Sequence, residues 1–414
     1  MPQGRRVVVT GIGAVTPLGL TMESTWQAML EGRSAVAPIT RFDSSSLPVH
    51  VACEVKNFDP SDQIDPKELR RMDLFEQYAL VAARQAVAQA NLRITEELAD
   101  EVGVVIGSSV GGFNTMLAQY DVLKEQGPRR INPFAIPMIM SNGAAGLVAI
   151  DFGARGPSYS PASACATSND SIGQASELIR RGVAKVMIAG GADATVSILG
   201  MAGFDRLGAL SHNNNIPCTS PCPFDKHRDG VVMGEGACVM VLEDEAFARQ
   251  RGATILAEVL GYGQTTDAFH VIAPAEGGTG AARAMRRALE SAGLQPAAID
   301  YINAHGTATP LNDIAETQAI KAVFGDHAYR IPISSTKSMT GHMMGATGAL
   351  EAAVCIYTIL HGIVPPTINL TEPDPLCDLD YVPREARAHR VRYAMNNSFG
   401  FGGHNSVLIF GRYE

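Results

Sequence analysis

Eight short apolar runs, spaced by amphipathic helices, constrain what this chain can fold into more than any other feature. They fall at 6–10, 102–107, 183–189, 237–243, 255–261, 299–304, 331–334 and 406–410. Each has the composition and length of a buried strand. Ala-rich segments with helical spacing lie between them, most clearly over 76–91 and 280–293. This alternation predicts an α/β fold with covered sheets.

The chain has 414 residues, 46% hydrophobic and 18% charged, which suits a large core and a compact enzyme. Its length accommodates two or three domains or one large double unit. A faint internal repeat is visible. Strand 102–107 leads, after a long insert, to Cys165 and a helix over 170–181; strand 299–304 leads to His342 and a helix over 345–360. In both, a reactive side chain sits in a Gly/Ser/Thr-rich turn at a helix start. The seam falls near Arg251-Gly252-Ala253, giving a half over 1–253 with Cys165 and a half over 254–414 with two histidines.

Several classes of function are disfavoured. A net charge of −9 argues against nucleic-acid binding. The longest apolar stretch, 186–204, is broken by Asp193 and glycines, so no membrane span is expected. The N-terminus enters a strand directly, without a secretory h-region, and a cytoplasmic location is expected. Asn369-Leu370-Thr371 and Asn396-Asn397-Ser398 would matter only in a secreted chain. Seven cysteines make a disulfide framework unexpected. Cys53, Cys238, Cys355 and Cys377 read as small core residues, and the lone pair Cys218/Cys222 lacks the second pair a zinc site needs. Gly11-Ile12-Gly13 follows a strand, but Thr16 stands where a dinucleotide fingerprint needs its third glycine. Gly107–Gly112 lacks the Lys-Ser/Thr of a P-loop.

Three stretches carry the chemistry: SACATSND around Cys165, NAHGTATP around His305, and SSTKSMTGHMMGATG with Lys337 and His342. A thiol can hold an acyl group, and imidazoles can stabilise charge on its carbonyl. Cys165 precedes a helix whose N-terminal amides and dipole favour a thiolate. Taken singly, each of these residues is as well explained by ordinary burial or capping; three such turns together point to an active site.

These motifs resemble the β-ketoacyl-acyl-carrier-protein synthases, most closely the type II elongating class. The likeness spans essentially the whole chain. It rests on VVVTGIGAVTPLG, RGPSYSPASACATS, AGGAD, DGVVMGEGA, NAHGTATPLND, SSTKSMTGH, VPPTINL and NNSFGFGGHN. The resemblance implies a thiolase-like fold: two similar halves in a five-layer αβαβα sandwich, forming a homodimer. It implies that Cys165 carries the acyl chain and that His305 and His342 stabilise the enolate of decarboxylated malonyl thioester. Lys337 would tune their field, and the amides of Cys165 and Phe401 would form the oxyanion hole. Thr307 and Thr309 would meet the phosphopantetheine arm. Phe401, between Gly400 and Gly402-Gly403, would gate the acyl pocket, whose depth Val110 would help set.

The same resemblance requires no organic cofactor. It points to a structural Na+ or K+ ion at Asn303, Glu351, Asn396 and Asn405; hydrogen bonds from the amides to a buried Glu351 would account equally well for these residues. The implied partner is acyl carrier protein, which is acidic. Lys67, Arg70 and Arg71, with Arg129 and Arg130, form local basic runs in an acidic chain, and Arg206 matches a further carrier contact. A solvated charged face is the alternative for these runs.

One departure stands out. Ser168-Asn169-Asp170 replaces the Gly and His-like residues usual after the nucleophile, which predicts an altered pocket rim. A polyketide ketosynthase would carry the same site. A chain-length-factor-like partner subunit would lack Cys165, a thiolase would add a second cysteine, and an initiating synthase would replace His342 by Asn.

Overall fold

Strand β1 (Val7–Val15) is the seat of a helix and not a nucleotide loop. Cβ atoms at Gly11 and Gly13 would run into the backbone of helix α1 (Leu74–Gln89), so both positions let the helix lie on the strand. Helix α1 starts in a capping box between Asp73 and Glu76. The computed structural model describes residues 4–214 and 219–414; Cys218 lies outside them, so the C-x3-C pair is not tested.

The remaining strands of the main sheet are β2 (Val102–Gly107), β3 (Ser158–Tyr159), β4 (Val186–Asp193), β5 (Gly236–Asp244) and β6 (Ala257–Thr266). They continue with β7 (Tyr301–Asn303), β8 (Ile333–Ser334), β9 (Tyr393–Gly400) and β10 (His404–Gly411). Besides α1, the helices that matter here are α2 (Phe113–Gln126), α3 (Gly143–Phe152), α4 (Thr167–Arg180), α5 (Thr279–Ala292), α6 (Pro310–Phe324) and α7 (Thr347–His361).

Hydrogen bonding orders the strands β3-β2-β4-β5-β1-β6-β10-β9-β7-β8. The repeat is explicit in this order. From the centre outward, β1-β5-β4 are antiparallel and β4-β2-β3 parallel. Likewise β6-β10-β9 are antiparallel and β9-β7-β8 parallel. The two runs meet where Val8 and Val9 pair with Glu258 and Ala257. Gly261 and Gly263 of β6 receive α5 as Gly11 and Gly13 receive α1.

Three cores fill the spaces around this sheet. One lies between α1 and the outer face of the first half. One lies between α5 and α6 and the outer face of the second. The third lies between the halves, around α4 and α7. The result is the five-layer αβαβα sandwich expected. Met344–His361 is apolar and long enough to cross a membrane by composition, but 89% of it is buried as this central layer.

The strands depart from the sequence reading in several places: β1 and β6 run on to Val15 and Thr266, and β3 was not expected. β4 begins three residues late and runs to Asp193, and β9 is a strand that periodicity does not reveal. Its centre, Asn396-Asn397-Ser398, is polar yet fully buried; Asn396 Nδ2 donates to Asn169 Oδ1 and Gly348 O, and Asn397 Nδ2 to Glu316. The repeat also matches differently. The turn that opens α4 is Ala164–Ala166 and the one that opens α7 is Met344–Ala346, so His342 stands ahead of the turn equivalent to that of Cys165.

Candidate active site

Cys165 lies in the turn before α4, directly after Ala164, whose φ of +51° is in the left-handed region. The sharp turn presents the sulfur to a cavity of about 420 Å³ that His305, His342, Thr307, Thr309 and Phe401 also line. The amides of Phe401 and of Cys165 itself point to the thiol. Burial pushes this thiol up to about 11, against the pull of Lys337 and the two amides. The N-terminal end of α4 pulls in the same direction as Lys337.

His305 follows β7. Its backbone N–H and that of Gly306 donate to the two carboxylate oxygens of Glu316 on α6, each at 2.8 Å. Asn397 Nδ2 donates to the same carboxylate at 3.1 Å. Burial raises the Glu316 carboxyl to about 7, opposed by these donors. The sequence reading passed over Glu316; its only signal was the helix that follows NAHGTATPLND, one turn of which returns a carboxylate to the loop.

His342 has a fixed tautomer. Its Nδ1 accepts from the Met344 amide at 3.0 Å and lies 3.0 Å from Thr347 Oγ1. The proton therefore sits on Nε2, which is buried without a partner. The two imidazoles meet edge to face with centroids 5.6 Å apart. Burial, then Lys337, holds both well below the usual histidine range, and His342 adds to the effect on His305. Both rings are thus neutral at physiological pH.

Lys337 Nζ lies 2.5 Å from Glu351 Oε1, and both side chains are 1% exposed. Burial pushes the Glu351 carboxyl up despite Lys337. The other oxygen, Glu351 Oε2, is buried and unpartnered, as are Asn303 Oδ1 and Asn396 Oδ1. Strand alternation puts Asn303 and Asn396 on the central face with Tyr301 and Ala394. Asn405 is a correction. It shares the opposite face with Val407 and Ile409, and its Nδ2 donates to Asp267 Oδ1 and Gly403 O at 2.8 and 3.1 Å.

Phe401 stacks on Phe204, centroids 6.3 Å apart, and both rings line the cavity. Gly403 lines the cavity, whereas the Gly402 amide is tied to Val271 O. The Thr307 and Thr309 hydroxyls are 2.9 Å apart.

Val110 does not line this cavity; it is 47% exposed. Ser108 Oγ and the Ser109 amide bind Asp193, and this loop geometry leaves Val110 on the surface. Ser168, Asn169 and Asp170 are buried and absent from the rim. Ser168 Oγ accepts from the Ala349 amide, and Asn169 Nδ2 donates to the carbonyls of Asn396 and Ser406. The two basic runs do come together: Asn132, just after Arg129 and Arg130, donates to Arg70 O, and Arg71 lies over the Phe134 ring. Lys67 is in the adjoining short helix. Arg206 is exposed at the end of the helix Ile198–Arg206 and does not itself line the cavity, though Phe204 and Leu207 do.

Residues 4–248 match the beta-ketoacyl synthase N-terminal domain, and residues 256–371 match its C-terminal domain. A 3-oxoacyl-[acyl-carrier-protein] synthase 2 from Synechocystis is 50% identical over 410 residues, 99% of each chain. A beta-ketoacyl synthase structure from Burkholderia phymatum has a TM-score of 0.92 at 40% identity, over 99% of this chain and 100% of that one. The AntDE:AntF structure, a type II polyketide acyl-carrier protein in complex with its ketosynthase, has a TM-score of 0.91 at 34% identity, with the same coverage.

Proposed function

Because the chain belongs to the beta-ketoacyl synthase family, we propose that its cavity performs the elongating condensation of fatty-acid synthesis. An acyl group on Cys165 would join malonyl-acyl-carrier protein with loss of CO2. In the first half-reaction Cys165 sulfur attacks the acyl thioester. The amides of Cys165 and Phe401 hold the oxyanion, and the carrier thiol leaves with the proton that cysteine gave up. In the second, the malonyl thioester oxygen accepts hydrogen bonds from His342 Nε2–H and from His305. Electrons of the breaking C–C bond move into the enolate as CO2 departs. The enolate carbon attacks the acyl-cysteine carbonyl; collapse expels the Cys165 thiolate, which takes a proton from solvent, and 3-oxoacyl-carrier protein leaves.

The observation that carries this reading is the fixed tautomer of His342. Its unpartnered Nε2–H shares one cavity with a thiol and a second neutral imidazole. Lys337 supplies a positive field that favours the Cys165 thiolate. Thr307 and Thr309 would meet the pantetheine arm, and the Phe401–Phe204 stack would gate the cavity.

The basic patch at Lys67, Arg70, Arg71, Arg129 and Arg130 would receive the acidic carrier protein, with exposed Arg206 as a further contact. A homodimer would cover the open sheet edge at β3 and exposed apolar side chains of the first half such as Met116, Tyr120, Ile136 and Ile150. Asn303, Asn396 and Glu351 offer two amide oxygens and a carboxylate oxygen, a donor set that suits Na+ or K+. The described cysteines are all free thiols, in keeping with a cytoplasmic location.

A second reading, a polyketide ketosynthase, draws on the likeness to the AntDE:AntF structure. Purified protein incubated with malonyl-carrier protein and a ladder of acyl-carrier proteins tests both. Mass spectrometry should show single two-carbon extension of saturated acyl chains. Repeated extension to a poly-β-ketone would favour the second reading, and no extended product would overturn both.

A further inference from the structure

Asp170 is the one residue of the departing Ser168-Asn169-Asp170 stretch that faces the nucleophile turn. Its carboxylate is 1% exposed and collects three side-chain donors. Ser163 Oγ donates to Oδ2 at 2.5 Å, Gln264 Nε2 to Oδ2 at 2.9 Å, and Tyr262 OH to Oδ1 at 2.8 Å. No cation pairs with it among the described residues. A buried carboxylate satisfied only by neutral donors fixes their directions strongly, because each lost donor leaves charge unsolvated.

Two of these donors come from β6, in the other half of the molecule. The third belongs to the residue two before Cys165. Ser163 is held at every polar group: its N–H donates to Thr167 Oγ1 at 2.9 Å, its carbonyl accepts from Ala166 at 3.1 Å, and its hydroxyl is on Asp170. Space for this arrangement is built in. A Cβ at Gly173, on the next turn of α4, would collide with the Tyr262 ring. A Cβ at Gly400 would come within 2.6 Å of Ser163 O and 3.0 Å of the Cys165 amide. The strained Ala164 is thus clamped between Asp170 on one side and the Gly400-Phe401 strand end on the other.

We propose that Asp170 is a positioning residue for acyl transfer: through Ser163 it orients the Cys165 amide that, with the Phe401 amide, holds the oxyanion. The proposal rests on the acyl-transfer reading of Cys165. It separates two reactions of the same sulfur. Transfer from a thioester or ester builds an oxyanion and needs the amide; displacement of iodide from iodoacetamide builds none at that place.

The test compares Asp170→Asn, Ser163→Ala and the double variant with wild type. Cys165 acylation is measured with acyl-carrier protein and with p-nitrophenyl hexanoate, and alkylation with iodoacetamide. We expect acylation by both donors to fall about 10-fold or more in each single variant. Alkylation should change less than about twofold and KM for acyl-carrier protein should hold. The double variant should be no worse than the singles, since both cut one relay. Tyr262→Phe, which keeps the carboxylate, should show a milder loss of the same pattern and covers the case in which Asp170→Asn does not fold. Parallel loss of acylation and alkylation, additive losses in the double variant, or unchanged acylation would each overturn the proposal. Wild-type protein that takes acyl groups from neither donor would instead overturn the acyl-transfer reading.

Discussion

Gly345 occupies in the second half the place that Cys165 holds in the first. Each is the middle residue of a three-residue turn opening a central helix, and each is followed by Ala-Thr. Each also follows a residue of positive φ, +51° at Ala164 and +50° at Met344. One half uses the place for a nucleophile. The other uses it for close approach: the Gly345 amide donates to Asp193 Oδ2 at 2.6 Å, which anchors the loop bearing His342.

Gly345→Ala should therefore damage the histidine side of the site. Its Cβ would lie 2.7 Å from Asp193 Oδ2 and 2.9 Å from the Ser109 amide. We expect a loss of about 1–3 kcal/mol in denaturant unfolding and a larger fall in malonyl decarboxylation than in Cys165 acylation. Equal falls would show that His342 is not the group displaced.

Cys165→Ala should take no acyl group from acyl-carrier protein, where wild type gains one acyl mass per chain. Intact-mass measurement decides this directly. His305→Ala and His342→Ala should still be acylated but lose decarboxylation, by roughly 100-fold or more if each donates to the enolate oxygen.

The histidines also fix a pH profile. Both are held well below 6.5 by burial and Lys337, so the neutral donors persist as the solution is acidified. Decarboxylation should show no inflection near 6.5 and should fall only at lower pH. A half-maximal point at the ordinary histidine value would contradict the neutral pair.

Glu316 titrates with the opposite consequence for stability. Its folded value near 7 exceeds the ordinary 4.5, so between these values the folded state holds the extra proton. The stability it contributes is fully present below 4.5 and is lost as pH rises through 7, up to about 3 kcal/mol. Relative to Glu316→Gln, which has no proton to lose, wild type should weaken across this window in urea titrations. A constant difference between the two proteins would refute the assignment.

Carrier docking should be electrostatic. Lys67→Glu with Arg70→Glu should raise KM for acyl-carrier protein several-fold at low salt and leave kcat nearly unchanged. The effect should shrink as ionic strength rises. An unchanged KM would move the docking site elsewhere.

The chemistry of this chain was more legible than its geometry. Cys165, His305, His342 and Lys337 announce themselves because thiols, imidazoles and amines in small-residue turns are rarely accidental in combination. Asn405 was misplaced because a sequence does not reveal which face of a strand a residue takes until its register is known. Strand β9 escaped because buried Asn and Ser break the apolar pattern, and Glu316 and Asp193 because the amides and side chains that donate to them come from other segments. The resemblance puts Val110 at the pocket, whereas the hydrogen bonds of Ser108 and Ser109 to Asp193 hold its loop so that Val110 is exposed.

The shared central layer has a consequence for how the chain is made. Helices α4 and α7 bury themselves against each other and against both half-sheets. A ribosome that has finished the first half can therefore have released α4 packed on β2 and β4 of its own half-sheet, with the other side of α4 still wet until α7 has been synthesised. The repeat that reads as two units in the alignment of strands is one unit in cooperativity, and α7, buried along nearly its whole length, is the piece that closes it.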